Sequence, residues 1–141
     1  MKKLLVCALF LGLAFGSTSC GKGKMETIND FVTTYFPQEE VLALIKDGLD
    51  YDVTLTDYTK IGFDGNIFGR LKWDEVDCTH TSYTTVPDAL VPAEIAAYMR
   101  RMHDTQNIVK IARDRRNWEI TLSNGLEVEF NKNFQVTDFD D

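Results

Sequence analysis

Histidine and cysteine are scarce in this chain, which has two of the first and three of the second among its 141 residues. Zinc needs three or four convergent ligands, and neither His80 nor His103 has a cysteine or carboxylate at ligand spacing. The Asp-rich turn at 47–52 lacks the twelve-residue pattern of a calcium loop. No Gly-x-Ser-x-Gly sequence is present, and Cys78 shares a strand face with His80 but has no third orienting group. We therefore predict no catalytic residue, no metal site and no cofactor, and a protein that is not an enzyme.

Positive charge is also in short supply, because 15 Lys and Arg face 22 Asp and Glu and leave a net charge of −7. An acidic chain binds nucleic acid poorly, so we predict no nucleic-acid partner. One basic cluster interrupts the acidic chain. It is either a solvated face that balances nearby acids or a patch for an anionic partner, lipid headgroup or glycan. Its members are Arg100, Arg101, Lys110, Arg113, Arg115 and Arg116.

The one long apolar run, residues 4–16, is too short to span a bilayer comfortably and follows two lysines. Small residues then lead to Cys20, which indicates a secretory signal peptide over residues 1–19. A cysteine at this point resembles the lipobox of bacterial lipoproteins, which implies cleavage before Cys20 and diacylation of its sulfur. We predict an exported outer-membrane lipoprotein, periplasmic or surface-facing, held on the membrane by two acyl chains. Plain secretion with cleavage near Ser19 is the alternative.

Removal of the signal would change both the cysteine count and the charge. Cys7 departs with the signal and Cys20 would carry lipid, so Cys78 stands alone and no internal disulfide can form. A lone thiol in an oxidising compartment is most often buried and inert. The signal takes two of the 15 basic residues and none of the 22 acidic ones, which leaves a net charge of −9. Residues 20–26 are predicted to form a short tether.

An internal repeat is the most informative feature of the chain. Residues 28–63 recur as residues 95–130, with a constant shift of 67 positions and no gap. Identities are few, but size and polarity match throughout; Tyr51, for example, falls on Trp118. A match at a fixed period indicates two copies of one structural unit. The predicted boundaries are 27–78 for the first repeat, 79–90 for the linker and 91–141 for the second repeat.

Each copy has the pattern of one helix followed by four strands. The predicted fold class is therefore α+β, a tandem duplication of a helix plus a four-stranded antiparallel sheet. Apolar residues at helical spacing follow Thr27, which can cap the first helix, and Pro37 ends it. Pro92 suits the first turn of the second helix. The predicted strands are 41–46, 51–55, 59–63 and 71–77 in the first copy, and 108–113, 118–122, 126–130 and 134–140 in the second.

The register of the hairpins follows from their alternating apolar positions. Side-chain faces alternate along a strand, so apolar partners must pair across the turn, and only a loop with an odd number of residues allows it. In the second copy the loop is 123–125, and Gly125 stands at its third position, where a left-handed backbone is favoured. The predicted pairs are Leu122 with Leu126, Ile120 with Val128, Trp118 with Phe130, Val53 with Ile61 and Tyr51 with Phe63.

The same register in the first copy gives the loop 56–58 and places Tyr58 where the second copy has Gly125. A residue other than glycine costs about 1–2 kcal/mol in the left-handed conformation. Two explanations are open. Either the loop relaxes to another type, or an aromatic residue is kept at the tip for contact.

Family resemblance is carried by Tyr35-Phe36-Pro37, by residues 51–55, by Val86-Pro87, by residues 118–130 and by the Asp-rich end at 138–141. These segments resemble the PepSY-like, β-lactamase-inhibitor-like lipoproteins of Bacteroidetes over nearly all of the mature chain. The resemblance implies a tandem of helix-plus-sheet units similar to the β-lactamase inhibitor protein, which binds its enzyme with a concave sheet and a hairpin tip. The family has no attached catalytic residues. Asp57-Tyr58 replaces the family's usual Asp-Gly or Asn-Gly turn and resembles the inhibitor's acidic, aromatic probe loop.

An antiparallel sheet with helices on one face leaves its other face open. We predict that this face and the hairpin tips bind an unidentified envelope or extracellular protein, with or without inhibiting it. Large exposed aromatic residues are typical interface anchors. The alternative is a small-ligand carrier or sensor with a cleft between the repeats, and a third option is a purely structural envelope protein. The predicted contact residues are Asp57, Tyr58, Phe68, Arg70, Trp73 and Tyr83.

Overall fold

The computed structural model describes residues 23–82 and 84–140. Over these residues the chain forms one helix followed by four strands, twice in succession, and a short 3-10 helix, Asp88–Leu90, precedes the second helix. The first series is α1 (Lys24–Tyr35), β1 (Val41–Asp47), β2 (Asp50–Leu55), β3 (Lys60–Gly65) and β4 (Leu71–Asp77). The second series is α2 (Ala93–Met102), β5 (Ile108–Arg113), β6 (Asn117–Leu122), β7 (Glu127–Asn131) and β8 (Val136–Asp140).

The eight strands described form one antiparallel sheet in the order β1-β2-β3-β4-β5-β6-β7-β8. The α+β class is therefore confirmed. The two series do not form separate sheets, because β4 pairs directly with β5, for example Val76 with Ile111 and Asp77 with Lys110. The connection between these two strands contains α2, so the centre of the sheet is the junction between the two halves of the chain.

Both helices pack on the same face of the sheet. Ile28 and Val32 of α1 and Ile95 and Met99 of α2 are buried. They belong to a single core cluster that also takes inward side chains from β2 to β7. Because successive side chains of a strand point to opposite faces, the residues between these inward positions form a second face that carries no helix. We refer to this second face as the open face.

The predicted hairpin register is confirmed. Tyr58 has a backbone φ of 71° and Gly125 one of 91°, so both take the left-handed third position of a three-residue loop. Each loop is closed by a backbone hydrogen bond of 2.9 Å, from Tyr58 N to Leu55 O and from Gly125 N to Leu122 O. The loop of the first half has not relaxed to another type. The observed pairs include Val53 with Ile61, Tyr51 with Phe63, Ile120 with Val128, and Trp118 with Phe130.

The first helix starts earlier than its sequence predicts. α1 begins at Lys24 with Gly23 at the N-cap, so the prediction that Thr27 caps the helix is wrong. The Thr27 hydroxyl lies inside the first turns and donates to Gly23 O over 3.2 Å. Packing explains the additional turn, because Met25 lies against the core. Residues 24–26, predicted as part of the tether, are therefore helical.

The last strand starts later than predicted, at Val136 instead of residue 134. Asn131 and Gln135 close a turn in which Asn131 N donates to Gln135 O over 2.9 Å. Phe134 takes a left-handed φ of 60° within this turn and cannot continue a strand there. Its ring nevertheless packs against the core, 6.2 Å from the ring of Trp118.

Candidate functional site

The strands of the sheet end at two opposite ends of the molecule. α1 begins at one of them, the near end, where the Lys24 ammonium lies 5.6 Å from the centre of the Tyr51 ring. The turns after β1, β3, β5 and β7 share the near end, because every neighbouring pair of strands is antiparallel. α1 finishes at the other, the far end, where Glu40 N donates to Thr56 Oγ1 over 3.1 Å. The turns after β2 and β6 share the far end.

The predicted contact residues do not form one surface. Asp57 and Tyr58 lie in the far-end turn between β2 and β3, whereas Phe68 and Arg70 lie in the near-end turn between β3 and β4. The six residues of β3 separate the two turns by about 20 Å of extended chain. A partner seated on one tip would therefore not reach the other without covering the length of the sheet.

Trp73 lies on a different face of the sheet from the one predicted. It pairs with inward-facing Phe63 and packs against the core on the helix side of the sheet. The prediction that Trp73 belongs to the exposed face is therefore wrong. Tyr83 and Cys20, the other predicted site residues, lie outside the described residues. None of the helices that the structure describes is long and apolar enough to cross a membrane.

Tyr58 stands at the tip of the β2–β3 hairpin with 62% of its surface exposed. The hairpin holds it there from both sides, because Leu55 N donates to Thr59 O over 2.8 Å directly beneath the tip. A left-handed conformation is strained for a residue with a side chain, and the exposed ring shows little packing that would offset this strain. The sequence and the structure therefore agree on an aromatic residue that the hairpin presents to solvent.

Asp57 has a structural role in this tip. Its Oδ1 accepts a hydrogen bond of 2.9 Å from Thr59 N, and its Oδ2 accepts bonds of 3.0 Å from Thr59 Oγ1 and 2.6 Å from Thr84 Oγ1. The carboxylate thus ties the hairpin to the segment that follows β4. This network fixes the loop that carries Tyr58. Contact between Asp57 and a partner stays a prediction.

The open face is acidic and has no aromatic side chain on the strands that the structure describes. The aromatic residues of these strands lie on the helix side, because each is, or pairs directly with, an inward-facing residue. Tyr51 and Trp73 pair with Phe63, Trp118 pairs with Phe130, and Phe139 pairs with Val128. Carboxylates dominate the opposite side. One row of directly paired outward residues crosses the sheet from β2 to β8: Asp52, Gly62, Glu75, Ala112, Glu119, Glu129 and Asp138.

Lys110 partly neutralises this row at its centre. Its Nζ lies 3.5 Å from Glu75 Oε2 and 3.5 Å from Glu119 Oε1. Burial opposes the charged form of the lysine, but the two carboxylates outweigh it and raise the pKa of Lys110. Farther along the row, a neutral donor contacts the carboxylate: Asn117 Nδ2 donates to Glu129 Oε1 over 2.5 Å. The face as a whole keeps an excess of negative charge.

Asp74 lies at the edge of the row, and one of its two carboxylate oxygens has no hydrogen-bond partner. A bulge between β3 and β4 adds this residue to β4, and its Oδ1 lies over Gly62 without a hydrogen-bond partner. Burial raises the pKa of Asp74, and the nearby charges of Asp64 and Glu75 add to the increase, against a backbone hydrogen bond that lowers it. A Cβ at position 62 would lie 2.6 Å from Asp74 Oδ1, so a larger residue there would displace the Asp74 carboxylate.

A cleft opens where the two halves meet. The pairing of β4 with β5 extends only to Glu75 and Ala112. Beyond this pair, Arg113 spans the gap, and its Nε donates to Trp73 O over 3.0 Å. The guanidinium carbon lies 3.9 Å from the centre of the Trp73 ring and 5.6 Å from that of Trp118. The cleft has a volume of about 800 Å³, and its rim includes Asp64, Asn66, Arg70, Lys72, Asp114 and Arg115.

The charge of Arg113 is not neutralised by direct contact. No carboxylate of the described residues lies within salt-bridge distance of its guanidinium. Burial lowers the pKa of Arg113 from its ordinary value, although Asp74 counteracts this effect. Both tryptophans of the chain border this cation. The cleft therefore offers a cation and two aromatic faces, which is a suitable environment for an anionic ligand.

The remaining predicted groups are dispersed. The basic cluster of the sequence divides among α2, which carries Arg100 and Arg101, the open face and the cleft. Cys78 is buried, burial raises the pKa of its thiol to about 11, and His80 is exposed. A thiol in this state is a poor nucleophile. In residues 23–82 and 84–140, no three His, Cys, Asp or Glu side chains are grouped to hold a metal ion.

Solved structures of Bacteroides proteins resemble this fold. One from Bacteroides vulgatus, described as a "putative periplasmic protein", is 34% identical, has a TM-score of 0.70, and matches 82% of this chain and 88% of its own. One from Bacteroides thetaiotaomicron, described as a "putative calcium-regulated periplasmic protein", is 32% identical, has a TM-score of 0.68, and matches 80% of this chain and 87% of its own. A second Bacteroides vulgatus protein of unknown function is 33% identical, with a TM-score of 0.66 over 80% of this chain and 88% of its own.

No curated protein matches the chain. A family model described as "Putative beta-lactamase-inhibitor-like, PepSY-like" matches residues 26–72 and 49–138, which together cover both helices and nearly the whole sheet. The resemblance carried by the strands and turns is thus confirmed. The chain belongs to the PepSY-like, β-lactamase-inhibitor-like family.

Proposed function

We propose that this protein is an exported, non-enzymatic lipoprotein, acylated at Cys20, that binds a protein partner through the Tyr58 tip and the open face. The periplasmic description of its structural neighbours and the signal-like first 19 residues support export. Its family supports binding over catalysis. We also propose that residues 28–63 and 95–130 are copies of one unit.

Tyr58 is the observation that carries this proposal. At the equivalent third position of the other hairpin, glycine takes the left-handed conformation without strain. The tyrosine costs stability there, and 62% of its surface remains in water. A residue that is unfavourable for folding and exposed at a rigid tip is best explained by contact with another molecule.

The open face indicates the chemistry of the partner. Its excess of carboxylates attracts a basic protein surface and repels an acidic one, which favours association with the first and selects against the second. Since exposed charges are screened by salt, binding should weaken as ionic strength rises. A partner that met only the Tyr58 tip would show little of this dependence.

Tyr58→Gly is expected to leave the fold intact or stabilise it by about 1 kcal/mol, because it removes the left-handed strain. The same change should reduce partner capture at least tenfold, since a central aromatic anchor can contribute 2 kcal/mol or more in rough terms. Capture is measured by crosslinking the protein in its native envelope, and stability by thermal unfolding. Met102→Ser, which alters an exposed apolar residue at the end of α2, is the matched control. A clear loss of stability with undiminished capture would make Tyr58 a packing residue.

The cleft between the halves supports a second candidate function, the binding of a small anionic ligand. The supporting observation is Arg113, a half-buried cation that stacks on Trp73 and has no carboxylate partner within the described residues. Carboxylate and phosphate groups match the planar fork of a guanidinium. A cleft of this size is within the range of small-molecule sites.

Ligand binding in the cleft should change the tryptophan fluorescence, because both tryptophans of the chain line it. Titration with aromatic carboxylates and with inorganic phosphate is expected to give a saturable change that Arg113→Met abolishes. Arg101→Met, at an exposed position of α2, should leave the titration unchanged and serves as the control. Equal responses of the wild type and Arg113→Met would exclude a site at this guanidinium.

A further inference from the structure

The near end of the molecule presents two apolar side chains to solvent. Ile67 is 81% exposed and Phe68 is 82% exposed, at the tip of the turn between β3 and β4. The turn is well fixed, because Asn66 Oδ1 accepts hydrogen bonds of 3.0 Å from both Phe68 N and Arg70 N. Gly69 takes a φ of 78° and donates to Asn66 O over 3.0 Å. The two side chains are therefore held outward by the backbone.

The near-end turns carry four cations and three carboxylates, so they lack the excess of negative charge that the open face has. The acidic residues of these turns are Asp47, Asp50 and Asp114, and two of these are engaged by the backbone. Asp50 Oδ1 accepts from Gly65 N over 2.9 Å, and Asp114 Oδ1 accepts from Arg116 N over 2.6 Å. The exposed cations of the same turns are Arg70, Arg115, Arg116 and Lys132.

The length of chain before α1 decides which surface this end meets. Three residues, 21–23, separate Cys20 from Lys24, the first residue of α1, and the four steps between these two residues span about 14 Å when fully extended. An acyl group on Cys20 would hold the near end within this distance of the lipid headgroups. The far end, with Tyr58, would point away from the membrane.

We infer that the near end docks on a lipid bilayer, with Ile67 and Phe68 in the interface between headgroups and acyl chains and the turn cations on anionic headgroups. Exposed apolar residues flanked by cations suit this interface, and clustered Lys and Arg add electrostatic attraction. The inference rests on the proposed acylation of Cys20. It goes further in giving the anchored protein a fixed orientation, in which the sheet stands on the membrane and presents the Tyr58 tip about 20 Å above the near-end turns.

The test places a nitroxide label at either end of the acylated mature protein, from which residues 1–19 and with them Cys7 have been cleaved, in vesicles of phosphatidylethanolamine and phosphatidylglycerol. Ile67→Cys labels the near-end tip, and Tyr58→Cys is the matched far-end control. Cys78 is 1% exposed and Cys20 would carry lipid, so neither should compete for the label. Docking predicts that the label at 67 collides with oxygen several-fold more, and with a water-soluble nickel complex several-fold less, than the label at 58. Adding Phe68→Ser should return the label at 67 toward water without lowering the melting temperature.

Flotation of the protein with the vesicles tests acylation of Cys20 separately from docking of the near end. If the wild type does not float, both acylation and docking are wrong. If it floats and the labels at 67 and 58 are equally accessible to the nickel complex, the anchor stands and docking is wrong. A label at 67 that is immobilised in native envelopes and free on vesicles would also overturn membrane docking, in favour of a protein occupant.

Discussion

Gly65→Ala is expected to lower the free energy of unfolding by about 3 kcal/mol or more. A Cβ at this position would lie 1.9 Å from Leu49 O and 2.7 Å from Leu49 C. These are backbone atoms of the turn between β1 and β2, so no side-chain rotation can relieve the overlap. The turn would have to move, and the 2.9 Å hydrogen bond from Gly65 N to Asp50 Oδ1 would be lost with it.

Gly69→Ala is the control for this prediction. Gly69 has a φ of 78° and no atom within 4 Å of the position of a Cβ, so only left-handed strain of about 1–2 kcal/mol opposes the substitution. Chemical denaturation of the two variants measures the difference. If Gly65→Ala were no more destabilising than Gly69→Ala, the close approach of Leu49 would not constrain the fold.

The sequence predicts what depends on alternation along neighbouring strands. The left-handed position of Tyr58 follows from pairing apolar residues across a turn, and the observed φ of 71° agrees. Gly65 has no such signature, because Leu49 reaches it through the folding of one turn against the end of a strand in the next hairpin. Contacts of this kind depend on tertiary structure and leave no periodic trace in the sequence.

At Trp73, a single inserted residue makes the prediction from alternating side chains wrong. Counting back from buried Val76 by alternation places Trp73 on the open face. The bulge adds Asp74 opposite the junction of Gly62 and Phe63, which reverses the phase of β4 and turns Trp73 inward. The carboxylate row depends on this register, and the cleft around Arg113 depends on where the pairing of β4 with β5 ends. The sequence alone predicts neither feature.

Because the sheet is continuous, we expect the two halves of the chain to unfold cooperatively, which the repeat alone does not predict. Two separate helix-plus-sheet units would unfold independently, whereas one core that crosses from β4 to β5 should unfold in one transition. Phe63 and Phe130 test the two halves, since both are fully buried and occupy positions separated by the repeat shift of 67 residues. Each meets an aromatic ring of its own helix edge-on, Phe31 at 5.3 Å for Phe63 and Tyr98 at 5.4 Å for Phe130.

Phe63→Ala and Phe130→Ala are each expected to lower the free energy of unfolding by about 3–5 kcal/mol, because each removes a buried ring and leaves a cavity. In calorimetry both variants should shift the same single transition to lower temperature. Phe139→Ala, at a position 51% exposed on β8, should have a much smaller effect and controls for the loss of an aromatic residue as such. Two separate transitions, of which each variant lowers only one, would show that the halves fold independently. The near and far ends of the sheet would then not be rigidly connected across the junction of β4 and β5, and anchoring one half would not orient the other.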